Sequence, residues 1–165
     1  MGGIGSGRHW QFGADTTDDY RSIDIRWLKR EGLLETGISR RITWSRGGEV
    51  TGSVNVQSEP GRVIMDYRHR DRGGEWQPER YPVYLDTTPC HMGGERHWFL
   101  CPARGCGRRV AVLYGGAIFA CRHCYRLAYP SQREKPGDRA ARRADCAFRD
   151  HPITGSDNIR SVIPI

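Results

Sequence analysis

The sequence predicts an α+β fold: an N-terminal helix on a small antiparallel β-meander, followed by a hairpin-based unit and a short basic helix. Three observations predict it. Thr16-Thr17-Asp18-Asp19 precedes apolar residues at helical spacing, residues 42–85 alternate apolar and polar side chains between glycine turns, and two close cysteine pairs flank a further Gly115-Gly116 turn. The apolar supply is thin for a chain of 165 residues, at 37% hydrophobic residues and a mean hydropathy of −0.68. That argues against one large core. Glycine, at 21 residues, is about twice its usual ~7% share, as expected of a chain with many turns and short strands.

The elements follow in order. Residues 1–13 read as a flexible glycine-rich arm. Gly3, Gly5 and Gly7 lack both the preceding strand and the following Gly-Lys-Ser/Thr of a phosphate-cradling loop. Residues 14–86 read as a small α+β unit. Its helix is predicted over about 18–31, capped by Thr16–Asp19, with Tyr20, Ile23 and Trp27 on one face and Gly32 as the stop. No second helix follows closely enough to make a helix-turn-helix. The strands are marked by Ile42 and Trp44, by Val50, Gly52, Val54 and Val56, by Val63, Met65 and Tyr67, and by Tyr81, Val83 and Leu85. Glycine turns at 47–48, 61 and 73–74 divide them, which gives a meander of four.

Residues 87–130 carry the chemistry. Cys101-Pro-Ala-Arg-Gly-Cys106 and Cys121-Arg-His-Cys124 are separated by fourteen residues. Each pair suits a tight turn that aims two sulfurs at one ion, and four thiolates close the tetrahedral shell of a structural zinc site. Arg108–Tyr114 and Ala117–Ala120 are strand-like on either side of Gly115-Gly116, so a hairpin joins the two knuckles in the form of a zinc ribbon. We therefore expect one structural Zn2+ held by Cys101, Cys106, Cys121 and Cys124. A catalytic zinc would keep an open position, and no His-Glu-x-x-His, paired carboxylates or nucleophile setting stands out, so the chain reads as a non-enzyme. Cys90 and Cys146 are left over and read as non-ligands, Cys90 as a small buried hydrophobe. His91, His97 and His123 carry no specific signal.

Charge is uneven. Residues 1–95 hold 13 Lys/Arg against 14 Asp/Glu, whereas residues 96–149 hold 12 against 3. Four thiolates around a dication leave about −2 and lower that local +9 only to about +7. Of the 26 basic residues 24 are arginine, the side chain that forks onto phosphate and stacks on bases. Arg104, Arg108, Arg109, Arg122 and Arg126, with Tyr125 as a stacking ring, are the candidate nucleic-acid contacts. Residues 131–149 read as a basic helix begun by Ser131-Gln-Arg-Glu134, and 150–165 as a loosely packed tail. No apolar run approaches the ~18 residues of a membrane span, and the first residues lack the apolar segment of a signal peptide. We expect a cytoplasmic protein with reduced cysteines and no membrane partner.

The run from Thr88 to Pro102, with Cys106-Gly-Arg-Arg109, Leu113-Tyr114 and Phe119 to Gln132, resembles a group of small bacterial zinc-ribbon proteins often found with prophages and integrative elements. Gly5-Ser-Gly-Arg8 and Ile23 to Leu34 match the same group. The resemblance covers residues 1 to about 145 and fails after Asp145. It implies that Cys101, Cys106, Cys121 and Cys124 are the ribbon cysteines, and it brings no established activity. Two functions follow as expectations: nucleic-acid binding through the basic C-terminal half of a mobile-element protein, or inhibition or adaptation of a host nucleic-acid-processing or defence complex with the zinc as a staple.

Overall fold

The computed structural model describes residues 15–70, 74–132 and 137. The expected arm, most of the basic helix, Cys146 and the tail lie outside these residues. The fold is mostly β, not α+β. Six antiparallel strands in the order β2-β3-β4-β5-β6-β7 form a curled half-barrel sheet, and β1, β8 and β9 form a small second sheet in the order β1-β8-β9.

The predicted four-turn helix over 18–31 is absent. Thr16 does form its capping box, with its backbone N–H and hydroxyl both 2.7 Å from Asp19 Oδ2, but it caps only a 3₁₀ turn, Thr17–Asp19. The chain then extends at Tyr20 and enters β1 (Ser22–Asp24), which pairs Ser22 with Tyr114 and Asp24 with Val112. A neighbouring strand supplies backbone partners there, and that tertiary pairing overrides local helical periodicity. The helix that follows, α1 (Ile25–Arg30), is capped by Asp24, whose carboxylate accepts from the Arg26 N–H at 2.8 Å. It stops where expected. Gly32 has φ +68°, and the Leu33 N–H returns to the Leu28 carbonyl at 2.8 Å, a left-handed C-terminal closure.

The four expected strands are present as β2 (Ser39–Arg46), β3 (Glu49–Glu59), β4 (Arg62–His69) and β5 (Gln77–Pro89). The sheet does not end there: β5 pairs with β6 (Glu95–Leu100), and β6 with β7 (Arg109–Val110). The expected single strand from Arg108 to Tyr114 is divided. At Ala111 the chain leaves the large sheet, gives its carbonyl to the Ile25 N–H at 2.9 Å, and continues as β8 (Val112–Gly115) in the small one. β9 (Phe119–Ala120) completes the hairpin.

Alternation explains the core. Val54 and Val56 of β3, Val63, Met65 and Tyr67 of β4, Val83 of β5 and Phe99 of β6 are all buried on the concave face. One short helix covers little of that face. Ile23, Ile25, Leu28, Leu113 and Phe119 cover the rest, and they belong to the same apolar cluster as the meander residues. The two sheets therefore share one core.

A chain of hydrogen bonds fixes the β8–β9 turn against the meander. The Phe119 N–H donates to Tyr81 Oη at 2.6 Å, the two phenol oxygens of Tyr81 and Tyr67 lie 3.0 Å apart, and Tyr67 donates to the Ala117 carbonyl at 2.8 Å. Because Tyr67 gives its proton to Ala117, Tyr81 must give its own to Tyr67. Burial raises both phenol pKa values, that of Tyr81 to about 12, so both stay protonated donors at neutral pH.

Tyr81→Phe removes the hydroxyl that accepts from the part-buried Phe119 N–H. It should cost roughly 1–3 kcal/mol in urea unfolding, the range for an orphaned buried polar group. Phe99→Ala should cost about 3–5 kcal/mol, as expected for emptying a fully buried aromatic site. A Phe99→Ala variant with an unchanged midpoint would contradict the shared core.

Candidate metal centre

The first knuckle must turn through a four-residue spacer. Gly105 (φ +74°) and Gly107 (φ +57°) supply left-handed backbone that side-chain-bearing residues rarely adopt. The turn closes through Cys106 N–H to the Ala103 carbonyl at 2.9 Å and Gly107 N–H to the Cys101 carbonyl at 3.2 Å, while Cys101 N–H bonds to the Arg108 carbonyl at 2.9 Å. In the second knuckle Cys124 N–H and Tyr125 N–H both reach the Cys121 carbonyl, at 3.0 and 3.3 Å. The chain leaves it through Arg126, the one non-glycine residue with positive φ (+53°) among the described residues, and Leu127 N–H returns to the Arg122 carbonyl at 3.0 Å. Arg126 is thus a strained position that glycine would occupy without penalty.

The four sulfurs converge. Cys101 and Cys124 Sγ are 3.8 Å apart, Cys106 and Cys121 3.8 Å, and Cys121 and Cys124 3.5 Å, with all four ligand atoms within 4.8 Å of one another. A tetrahedron with metal–sulfur bonds of about 2.3 Å needs sulfur–sulfur separations of about 3.8 Å. These separations are far beyond the ~2.05 Å of a disulfide. The donor set therefore fits one metal ion. Backbone N–H groups already point at the sulfurs, as charged thiolates require. Cys121 N–H lies 3.3 Å from Cys101 Sγ, and the N–H of Arg108 lowers the Cys106 thiol pKa, whereas burial raises that of Cys101. Ala120, Ile118, Val110 and Tyr125 pack around the cluster.

Tyr125, predicted as a stacking ring, is half-buried here. Its hydroxyl donates to the Ile118 carbonyl, and its ring lies 5.5 Å from that of Tyr20. Gly116 makes this possible, because a Cβ there would stand 2.4 Å from Tyr125 Oη. Arg109 is paired with Asp86. Arg122 lies over the Tyr129 ring at 4.6 Å and reaches the Leu127 carbonyl at 3.4 Å. Arg104, Arg108 and Arg126 are exposed, and their side chains have no partner among the described residues. Cys90 sits half-buried in the β5–β6 turn, outside the four-sulfur cluster, with His91 exposed beside it. His123 is an exposed turn residue of the second knuckle, and burial lowers the His97 pKa.

Sequence reasoning missed the Tyr67–Tyr81 pair and the contribution of residues 15–24. Thr17 N–H and Ala128 N–H bond across to the Ala128 and Asp15 carbonyls at 2.9 and 3.0 Å, which ties the segment before β1 to the exit of the second knuckle. No short-range pattern marks that pairing. No family model, curated protein or solved structure matches the chain, so no family is identified. What stands of the resemblance is the cluster of four cysteines.

Protein purified without chelator should carry one equivalent of metal by elemental analysis. Cys121→Ser should lose it and Cys90→Ser should keep it. Because Leu113 and Phe119 stand between the knuckles and also in the main core, metal loss should lower the thermal midpoint of the whole described body.

Proposed function

We propose that this chain is a non-catalytic nucleic-acid-binding protein whose four cysteines hold one structural zinc ion. Four thiolates leave a zinc ion no open position for substrate, so its work is to fix the hairpin and the side chains on it. The observation that carries the reading is the charge of that unit. Residues 96–132 contain six arginines and no aspartate or glutamate. Asp86, from β5, engages Arg109, while Arg104 and Arg108 of the first knuckle and Arg126 of the second remain exposed. Cationic forks held on a rigid frame suit phosphate, and arginine offers two parallel donors to it.

Binding of a labelled oligonucleotide should weaken with salt. The slope of log K against log[salt] is about −0.7 per phosphate neutralised on a single strand and about −0.9 on a duplex. Arg104→Gln, Arg108→Gln and Arg126→Gln together should flatten that slope by about 2 on a single strand while the zinc content stays the same. Recovery from cells of a stoichiometric protein partner that nuclease does not release, with no oligonucleotide binding at low salt, would favour the inhibitor or adaptor function.

A further inference from the structure

The strand register leaves an opening in the large sheet. β3 pairs with β4 only from Asn55 (opposite Asp66) to Glu59, so residues 49–54 of β3 pair with β2 alone. On the other side Tyr67, Arg68 and His69 of β4 pair with β5 alone. Two hairpin arms, β2–β3 and β4–β5, therefore part beyond the Asn55–Asp66 pair. Between them lies a cleft of about 910 Å³, floored by Trp44, Tyr67, Phe119 and the Gly115–Ala117 turn. That is near the top of the ~300–1,000 Å³ range of ligand sites.

The walls are cationic and aromatic. Among the described residues, Arg21, Arg41, Arg68 and Arg70 line the cleft against one carboxylate, Asp66, which is already held by Arg80 at 3.1 Å. Arg21 is fixed in place. Its guanidinium donates to the Thr51 carbonyl at a bulge in β3, and Gly52 makes room for it, since a Cβ there would lie 2.8 Å from Arg21 Nε. Arg41 Nε donates to Asn55 Oδ1 at 3.0 Å, which leaves its two terminal nitrogens without a partner among the described residues. Arg68 has no side-chain partner among them at all. Trp76 is 55% exposed on one wall, with the Arg70 guanidinium 5.0 Å from its ring. None of the four cysteines lines this cleft.

We propose that the cleft between the β2–β3 and β4–β5 arms binds single-stranded nucleic acid, with phosphates on Arg21, Arg41 and Arg68 and a base stacked on Trp76. Guanidiniums, two of them held by Thr51 and Asn55, beside an exposed indole are the two components of a single-strand groove. A cleft closed at its floor and walled by two arms admits an unpaired strand and excludes a duplex. The proposal rests on the nucleic-acid reading above but places the single strand on a surface separate from the ribbon arginines.

The test uses the full zinc-loaded chain and fluorescence anisotropy with a labelled oligothymidylate of about ten nucleotides, beside a labelled duplex. Arg68→Gln combined with Trp76→Ala changes two exposed side chains, and unchanged zinc content and thermal midpoint would verify folding. The pair should weaken single-strand binding about tenfold or more and leave duplex binding within about twofold. Trp76→Leu should abolish a fluorescence quench that the wild type shows on adding the oligonucleotide. The ribbon triple Arg104→Gln, Arg108→Gln, Arg126→Gln separates the two readings. If it weakens binding while the cleft variants bind like wild type, the cleft proposal is overturned and the ribbon reading stands. If only the cleft variants lose affinity, the cleft stands and the ribbon reading falls. Displacement of the oligonucleotide by an equal concentration of a glutamate-rich peptide, with Trp76 fluorescence unmoved, would also overturn the proposal by giving the cleft to an acidic polypeptide.

Discussion

A six-stranded antiparallel sheet has one apolar face to bury, and among the described residues that pack against it the only α-helix is the six-residue α1. Everything else follows from that shortage. The β8–β9 hairpin and β1 must lie under the sheet, so Leu113, Phe119 and Ile23 become core residues of the large sheet as well as strand residues of the small one. The hairpin is too short to hold its own shape, with β9 only two residues long. The four-sulfur cluster at its two ends and the phenol chain at its tip hold it from opposite sides. A hairpin flanked by two cysteine pairs thereby serves as the lid of a β-core.

The two ends of that hairpin differ in chemical character. At the knuckles the Cys121 N–H faces Cys101 Sγ and the Arg108 N–H lowers the Cys106 thiol pKa, while burial raises those of Cys101 and Cys124. At the tip, Tyr67 and Tyr81 are buried and kept neutral, and their protons run one way along the chain from Phe119 to Ala117. Sulfur ligands that fit a metal ion gather at one end of the hairpin, and neutral phenols stand where the two sheets meet. The same separation appears on the surface, where Arg109 is matched by Asp86 across the β6–β7 edge while the knuckle arginines are left to solvent.

The strands of the meander were legible because valines and isoleucines alternate with polar residues and glycines mark the turns, a local signal that the register preserves. The cysteines were legible because their spacing alone confines the sulfurs. Two things were not. The segment from Tyr20 to Arg30 has helical spacing in its apolar residues, but β8, ninety residues later in the chain, decides that Ser22–Asp24 is extended; no window of sequence contains both partners. The stretch from Arg108 to Tyr114 reads as one strand because nothing in its side chains announces that Ala111 hands its carbonyl to Ile25. The cleft arginines were passed over because they lie in the half of the chain whose charges balance.

The pairing of Ser22 with Tyr114 and of Thr16 with Ala128 also sets an order of events during synthesis. The meander can form as the chain emerges, because each of its strands pairs with a recent neighbour. The first strand has no partner until β8 has been made, ninety residues later, so it must wait through most of translation with Ile23 and Ile25 uncovered. Such long-range closure is slow and leaves apolar surface exposed in the interval. The earliest part of the described body to be synthesised is the last to be seated, because Thr16 meets Ala128 only after the second knuckle has emerged.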